Sequence, residues 1–504
     1  MISFKWLLLI PLSCSSIYCI ISHREKTGMV SNREVIVQLF EWRWLDIANE
    51  CEKFLAPNGY GAVQISPPSE NLKMYLDDNT RPWYERYQVM SYKIGTRSGH
   101  EGHFLEMTTR CNKVGVRIYA DVVLNHMTSD YAMNGGTAGS TADFVNYNYP
   151  AVPYSWEDFH YPHCSIVDYN NVKEVRNCMM MELKDLNQSM PYVRSNIVNY
   201  LNKLVSLGVG GFRVDAAKYM WPKDLKAIFD NVQNLNTRFG FPYNTRPYIY
   251  QEVTRGGASV ASDYISIGDV TEFTGVLLLK DVFRGSKHLR VLRAWGSDKM
   301  NMLPSQNALV FVDNHDTQRY GRSLSYRDGP RYKAALAFLL AYQYGVQRIM
   351  SSYFFKNPDQ GPPSDRNNTI KGPLNQDGTN CNPEWVCEHR WETTARMIKF
   401  KSVVHGTKVN KWWDNGENQI AFSRGHKGFI AFNLSKEAMF TLLPTSLPEG
   451  IYCDIKSGHT VGDTCFGKVV RVTSLGFAEV IITGREDDLY VAIHIGPESR
   501  LERM

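Results

Sequence analysis

The sequence predicts an α/β protein whose main domain is a sheet of parallel strands alternating with helices, followed by an antiparallel β domain. Three observations predict this architecture. Helical stretches that end at glycine are each followed by a short apolar run, polar residues cluster after at least four such runs, and the helical pattern stops near residue 408. Strands that alternate with helices are typical of a mostly parallel sheet.

The alternation is clearest in three segments. In 193–215, apolar residues repeat at helical spacing up to Gly208, and a short buried strand follows. The segments 101–124 and 331–350 have the same order of helix, glycine and strand. Each segment therefore predicts a helix that leads directly into a strand of the sheet.

Both a closed barrel and an open doubly wound sheet fit this alternation. No Gly-x-Gly-x-x-Gly fingerprint follows an early strand, which disfavours a dinucleotide-binding sheet. In a barrel the carboxyl ends of all strands converge on one site, as the clustered polar residues require. We therefore favour a barrel formed by residues 29–126 and 186–407.

Two segments depart from the barrel pattern. Residues 127–185 are rich in Gly, Tyr and Asn and lack long periodic helices, which predicts a small irregular domain inserted into the barrel. Residues 408–496 contain strand-like runs separated by turn signals such as Asp414-Asn-Gly416, which predicts an antiparallel β domain.

Composition and the N-terminus indicate an exported protein. A formal net charge of +5 without any basic run argues against nucleic-acid binding. Residues 1–19 combine one lysine, a short apolar stretch and small residues, as a secretory signal peptide does, and no later stretch is long and apolar enough to span a membrane. We expect a secreted, extracellular protein without nucleic-acid or membrane partners. Eight cysteines follow the signal, and this even number favours disulfides whose connectivity stays open at this point.

Candidate catalytic side chains follow four predicted strands. They are Asp121 with Asn125 and His126, Arg213 with Asp215, Glu252, and Asp313-Asn-His-Asp316. Each acidic residue alone is more often a helix cap or a surface residue. Several carboxylates that converge on one barrel mouth would repel one another, and such a costly arrangement is typical of functional sites.

This set of residues fits a retaining glycosidase, which needs an ionised carboxylate nucleophile and a protonated carboxylic acid about 5–5.5 Å apart. Strand alternation puts Arg213 and Asp215 on one face, and we expect the guanidinium to lower the pKa of Asp215. Glu252 suits the acid, and Asp316 would support an oxocarbenium-like transition state.

Six motifs, in order and at their intervals, resemble those of animal α-amylases of the chloride-dependent type, members of glycoside hydrolase family 13. They are Phe40-Glu-Trp-Arg-Trp44, Arg81-Pro-Trp-Tyr-Glu-Arg-Tyr-Gln88, Asp121-Val-Val-Leu-Asn-His126, Gly211-Phe-Arg-Val-Asp-Ala-Ala-Lys218, Gln251-Glu-Val253 and Phe311-Val-Asp-Asn-His-Asp316. The resemblance implies a (β/α)8 TIM barrel with an inserted irregular domain B and a C-terminal antiparallel β-sandwich, domain C. It also implies an endo-acting enzyme that hydrolyses internal α-1,4-glucosidic bonds of starch, glycogen and related oligosaccharides.

The resemblance assigns roles to single residues. It implies that Asp215 is the nucleophile, Glu252 the general acid/base and Asp316 the stabiliser of the transition state. The residues implied to contact substrate are Trp83, Tyr87, Gln88, His126, Lys218 and His315.

A structural calcium ion is also implied where the inserted domain meets the barrel. Its ligands would be the side chains of Asn125 and Asp185 and the main-chain carbonyls of Arg176 and Tyr219. Calcium prefers such a set of carboxylate, amide and carbonyl oxygens.

An activating chloride ion is implied at Arg213, Asn314 and Arg348. Two guanidinium groups near Glu252 would favour its ionised form, and a bound anion would offset that field. The alternative is that both arginines only pair with carboxylates.

The resemblance further implies a monomer and four disulfides. The pairs are Cys51–Cys111, Cys164–Cys178, Cys381–Cys387 and Cys453–Cys465. The chain departs from the vertebrate pattern at Tyr84 (often Trp), Tyr219 (often His), Gly95 (Cys), and the loop 317–322, which replaces a Gly-rich segment. None of these changes affects the three carboxylates.

Two other functions compete with this interpretation. One is a related α-glucosidase or transglycosylase on the same barrel. The other is a non-catalytic sugar-binding or transporter-associated relative, which would lack catalytic carboxylates or carry a membrane helix.

Overall fold

The structure, a computed structural model, describes residues 26–129 and 135–501, and within these ranges eight parallel strands close into a barrel in the order of the sequence. The strands are Val35–Leu39 (β1), Ala62–Ile65 (β2), Arg117–Val123 (β3), Gly211–Asp215 (β4), Tyr248–Gln251 (β5), Asp269–Thr271 (β6), Ala308–Val310 (β7) and Val346–Ser351 (β8). The predicted signal peptide, residues 1–19, lies outside the described residues.

Helices cover the outside of the barrel. They are Trp44–Glu50 (α1), Glu101–Lys113 (α2), Pro191–Ser206 (α3), Pro222–Asp230 (α4), Phe273–Phe283 (α5), Pro330–Ala341 (α6) and Glu392–Val403 (α7). Three of them begin with proline, whose missing N–H costs nothing in the first turn of a helix. Gly208 after α3 has a φ of 92°, a left-handed conformation that lets the chain reverse into β4 at little cost. The predicted order of helix, glycine and strand is confirmed here.

The barrel strands are buried on both faces, because helices cover the outside and side chains fill the inside. Their sequences are accordingly apolar runs rather than alternating ones. This packing fixes the backbone at the carboxyl ends of β3, β4 and β5, where the polar candidates lie.

The inserted segment between β3 and α3 is irregular. A two-stranded ladder pairs His126–Met127 with Lys184–Asp185 and closes its base. One helix, Val172–Asn177, packs against the turn Ala217–Tyr219 that follows β4. The insert is thereby joined to the barrel at the same end as the candidate site.

The C-terminal domain is a sandwich of two antiparallel sheets, ordered β9-β10-β11-β16 and β12-β15-β14-β13. The strands are Val409–Asp414 (β9), Gln419–Arg424 (β10), Gly428–Asn433 (β11), Met439–Pro444 (β12), Gly450–Cys453 (β13), Val469–Val472 (β14), Phe477–Ile482 (β15) and Tyr490–His494 (β16). Phe422 and Phe432 of the first sheet pack edge-on against Phe338 of α6. The fold class predicted from the sequence, a TIM barrel with an irregular insert and a C-terminal β-sandwich, is confirmed.

Four disulfides are present in the described residues, and they pair as the resemblance implies. They are Cys51–Cys111, Cys164–Cys178, Cys381–Cys387 and Cys453–Cys465. Across residues 26–129 and 135–501, no helix combines the length and the apolar character needed to cross a bilayer.

Candidate active site

Three acidic side chains from adjacent barrel strands contact one arginine. Arg213 of β4 donates through Nη1 to Asp121 at 2.7 Å and to Asp215 at 2.5 Å, and its Nη2 lies 2.6 Å from Glu252 Oε1. Asp121 lies on β3, Asp215 ends β4, and Glu252 follows β5 directly. The neighbouring order of these strands therefore brings together carboxylates that are far apart in the sequence.

The backbone after β4 holds Glu252 in position. Ala216 adopts a left-handed conformation with a φ of 49°, which is uncommon for a residue with a side chain. Its N–H donates to Glu252 Oε2 at 3.1 Å, and the Lys218 N–H donates to the Glu252 carbonyl at 3.2 Å. The turn thus fixes both the carboxylate and the main chain of Glu252 relative to Asp215.

Asp316 lies beyond β7 in a turn that Asn314 organises. The Asn314 Oδ1 atom accepts hydrogen bonds from the N–H groups of Asp316 at 3.0 Å and Thr317 at 2.7 Å. Burial raises the pKa of Asp316, and the nearby Glu252 carboxylate raises it further, against the lowering effect of Arg322. Asp316 thus shares the electrostatic environment of Glu252, as a common site requires.

The net pKa of Asp215 depends on more than Arg213. Burial raises this pKa well above its usual value, although Arg213 lowers it, as predicted. Glu252 and Asp121 raise it further. The motif indicates the cation, but neither the burial nor the other two carboxylates that share it.

The two candidate histidines are buried and uncharged. Burial lowers the pKa of His126 to about 4, and its Nε2 lies 3.0 Å from the Tyr87 carbonyl. Burial and the nearby guanidinium of Arg213 lower the pKa of His315 well below its usual value. His315 contacts Gln38 through Nδ1 at 2.9 Å and the Tyr87 hydroxyl through Nε2 at 2.8 Å. Both rings are therefore held in fixed orientations by protein groups.

The remaining predicted contact residues border the same region. Trp83 packs edge-on against His315 with ring centroids 5.5 Å apart, and the Tyr87 hydroxyl donates to Asp121 at 3.0 Å. Lys218 Nζ donates to the Gly256 carbonyl at 2.6 Å. Gln88 binds the base of the insert, where its Oε1 accepts hydrogen bonds from Thr128 and Ser129.

The predicted calcium ligands lie on two contacts between the insert and the barrel. The ladder pairs Asp185 with His126, which follows Asn125 in the chain, and the helix Val172–Asn177, which carries Arg176, packs on the turn Ala217–Tyr219. Asn125 Oδ1 and Asp185 Oδ1 are buried and have no hydrogen-bond partner among the described residues. Burial raises the pKa of Asp185 to about 7. His160 has the opposite, smaller effect on this pKa through its contact with Asp185 Oδ2 at 2.7 Å. Two buried oxygens without donors fit a cation.

The Arg176 side chain turns away from this region. Its guanidinium donates to Ser259 at 3.0 Å and to Asp263 at 2.7 Å, so only its carbonyl remains for a metal. No cluster of three or more His, Cys, Asp or Glu residues suited to a metal is found in the part of the chain that the structure describes. A cation at this junction would therefore depend on amide and carbonyl oxygens beside a single carboxylate.

The two predicted chloride-binding arginines differ in their partners. Arg213 is matched by three carboxylates, whereas Arg348 forms no ion pair with any described residue and donates through Nη1 to Gln64 at 2.7 Å. Its Nε and Nη2 atoms are buried without a hydrogen-bond partner in the described ranges, and its guanidinium lies 4.4 Å from the Phe311 ring centroid. Unpaired donors on a buried cation fit an anion.

Three residues that support the site were missed by the sequence analysis. Gln38 of β1 orients His315, Gln64 of β2 accepts from Arg348, and Arg319 packs 4.7 Å from the Trp83 ring while its Nε donates to the His315 carbonyl at 2.8 Å. Gln38 and Gln64 interrupt runs of apolar residues in buried strands. A polar residue in such a run must find a buried partner, and this signal could have identified both.

Comparison with known proteins identifies the family of the chain. Family models described as "Alpha amylase, catalytic domain" and "Alpha amylase, C-terminal all-beta domain" match residues 66–270 and 412–496. The α-amylase of Tribolium castaneum is 47% identical over 98% of this chain and 99% of its own length. The α-amylase of Tenebrio molitor is 48% identical over 94% of this chain and 99% of its own.

Solved structures give the same result. A mutant of α-amylase I from Eisenia fetida in complex with maltohexaose superposes with a TM-score of 0.88 at 40% identity, covering 93% of this chain and 98% of the other. The wild-type α-amylase I from Eisenia fetida superposes with a TM-score of 0.87 at 40% identity, covering 93% of this chain and 98% of the other. The chain belongs to the α-amylase family, glycoside hydrolase family 13, and is an α-amylase-type hydrolase.

Proposed function

We propose that the protein is a secreted, endo-acting α-amylase that hydrolyses internal α-1,4 bonds of starch, glycogen and maltooligosaccharides by a retaining double displacement. One observation carries the proposal: Asp215 and Glu252 contact the two terminal nitrogens, Nη1 and Nη2, of one guanidinium. The small span of a guanidinium keeps the two carboxyl groups close together, in keeping with the separation of about 5–5.5 Å in retaining enzymes.

The reaction proceeds in two steps. Glu252 gives its proton to the glycosidic oxygen while Asp215, in the ionised form that Arg213 favours, bonds through one oxygen to the sugar C1. The C1–O bond breaks and the leaving chain departs as an alcohol. Glu252, now ionised, takes a proton from water, which attacks C1 and displaces Asp215. The Asp316 carboxylate supports the positive charge on the ring in both transition states.

The surrounding residues position the sugar. His126 and His315 are neutral and buried, so they serve as hydrogen-bonding groups rather than as proton donors at neutral pH. Trp83, Tyr87 and Lys218 border the cleavage point, and Gln88 supports the base of the insert.

A structural calcium ion is proposed for the junction of the insert and the barrel. Asn125 and Asp185 would supply the two buried, unpartnered oxygens, and Arg176 and Tyr219 would supply carbonyls. The ion would fix the base of the insert, from which His126 extends towards the cleft.

An activating chloride ion is proposed beside Arg348, with Arg213 and Asn314 as its other partners. Its negative charge would balance the unpaired Arg348 guanidinium. We also infer a monomer with the domain limits 29–126 with 186–407, 127–185 and 408–496.

A time course on soluble starch tests the proposal, with products sized and their anomeric form followed by NMR. We expect long oligosaccharides first, new ends in the α configuration, and dependence on calcium and chloride when each is removed. Maltose serves as the control substrate, and Asp215→Asn as the inactive control protein. Rapid glucose release from maltose would favour the α-glucosidase alternative, and β-configured products would exclude the retaining mechanism.

A further inference from the structure

Three Asn-x-Ser/Thr motifs begin at Asn187, Asn367 and Asn433. In a secreted protein such a motif accepts an N-linked oligosaccharide. The asparagine Nδ2 bonds to C1 of a sugar carried on a lipid diphosphate, the C1–O bond breaks, and the lipid diphosphate leaves while the amide nitrogen loses one proton. A modified asparagine therefore keeps a single N–H and needs open space beside that nitrogen.

The Asn433 amide is part of the core of the β-sandwich. It is fully buried at the end of β11, where Nδ2 donates to the carbonyls of Glu437 at 2.8 Å and Ile482 at 3.4 Å. Its Oδ1 accepts from the Ser435 N–H at 2.9 Å. A sugar would remove one of these N–H groups and would have to pass through packed strands. A chain modified here during synthesis could not form the hydrogen bonds of Asn433 at the end of β11, so folded molecules carry no glycan at Asn433.

Asn187 is an intermediate case at the junction of the insert and the barrel. It is half-buried, and its Oδ1 accepts from both the N–H and the hydroxyl of Ser189, at 3.2 and 2.5 Å. Its backbone N–H donates to the Asp158 carbonyl at 2.9 Å. The serine of the motif thus binds the asparagine side chain of the same motif, and the Asn187 backbone is hydrogen-bonded to the insert.

Asn367 lies at the tip of a turn in the long loop after β8. Asp365 Oδ1 accepts from the N–H groups of Asn367 at 2.8 Å and Thr369 at 2.9 Å, which leaves both side chains exposed. The neighbouring Asn368 anchors the turn, because Arg97 donates to its carbonyl at 3.0 Å and its Nδ2 donates to the Asn79 carbonyl at 3.2 Å. The side-chain amide of Asn367 has no hydrogen bond to other described residues, so a sugar on its Nδ2 would displace no hydrogen bond.

We propose that Asn367 carries an N-linked oligosaccharide and that Asn433 carries none, an inference that rests on the secretion proposed above. The same tripeptide signal thus has opposite outcomes at two sites. The difference follows from the hydrogen bonds of each amide in the folded chain.

To test the proposal, the full chain is expressed in insect cells behind a heterologous leader, so that entry into the secretory pathway does not depend on residues 1–19. The secreted, active protein is treated with peptide-N-glycosidase in heavy-oxygen water, which converts a modified Asn into labelled Asp, and peptides are read by mass spectrometry. We expect label at Asn367 and no label at Asn433. Label at Asn433 in active protein, or an unlabelled Asn367, would overturn the proposal.

Two matched variants remove one motif each without changing an asparagine. Thr369→Ala should lose the decrease in gel mobility that the glycan causes, and Ser435→Ala should keep it; the reverse pattern would contradict the proposal. A parallel expression with the native N-terminus separates the two claims. Failure of that chain to leave the cell would count against secretion alone, because the heterologous leader still reports which asparagine is modified.

Discussion

Replacing Arg213 with methionine should destabilise the barrel in a manner that depends on pH. Methionine fills similar space without charge and leaves three carboxylates without their shared cation. Removing one partner of a buried ion pair typically costs about 3–5 kcal/mol. Asp121 would keep the Tyr87 hydroxyl and Glu252 would keep the Ala216 N–H, but Asp215 has no other hydrogen bond among the described residues. The cost should therefore fall mainly on Asp215.

The sign of the pH dependence follows from the pKa of this group. Burial already raises the pKa of Asp215 above its value in the unfolded chain, and loss of Arg213 should raise it further. At a pH where the folded state binds a proton and the unfolded state has released it, the stability of the folded state falls as pH rises. The Arg213→Met penalty should thus be smallest where Asp215 is protonated in both folded proteins, and it should grow as the pH rises through the folded-state pKa of Asp215.

Urea unfolding at about pH 5 and about pH 8 measures this effect. An unchanged dependence of the free energy of unfolding on urea concentration would show that the variant does not alter the unfolded state. Lys226→Met is the control, because Lys226 forms an exposed ion pair with Asp230 at 2.6 Å whose loss should cost about 0–1 kcal/mol at either pH. Arg213→Lys should recover part of the stability if the full replacement does not fold. An equal penalty at both pH values, or one no larger than that of Lys226→Met, would refute the reasoning.

Three further predictions concern the ions and the acid. Asp185→Asn should weaken calcium binding, so that excess calcium raises the unfolding midpoint of the parent protein but hardly that of the variant. Calcium at 100 times its Kd should add about 2.7 kcal/mol to the free energy of unfolding of the parent. Equal stabilisation of both proteins would contradict the site. Arg348→Gln should abolish the response of kcat/KM to added chloride, and an unchanged chloride titration would reject the anion site. Glu252→Gln should lower kcat on starch by about 10²–10⁴-fold while starch binding is retained, and unchanged turnover would remove Glu252 from the mechanism.

Most of the fold could be predicted from the sequence because its signals are local. Periodic apolar residues ending at Gly208 predict α3 and β4, and turn residues such as Asn415 and Gly416 predict the start of the β-sandwich. The closure of the barrel could not be read from these signals, since alternation also fits an open sheet. It followed from the polar residues at the strand ends and from the family resemblance.

The sequence predicted which residues form the candidate site, but not the net pKa of Asp215 within it. Motifs located Asp215, Glu252 and Asp316, and the structure brings them to one end of the barrel. The lowering effect of Arg213 on the pKa of Asp215 was predicted, but the net rise was not, because it depends on how many carboxylates share Arg213 and on how deeply they are buried. Both quantities are properties of the assembled barrel that no local segment encodes.

The division of roles between Asp215 and Glu252 is the central claim, and trapping the covalent intermediate tests it most directly. The Glu252→Gln variant is incubated with a fluorinated maltosyl fluoride, whose good leaving group needs no acid and whose fluorine slows release of the sugar. Peptide mass spectrometry then locates the attached maltosyl group. The account predicts the label on Asp215 alone, whereas a label on Asp316 or Asp121, or turnover to β-configured product without any label, would contradict it.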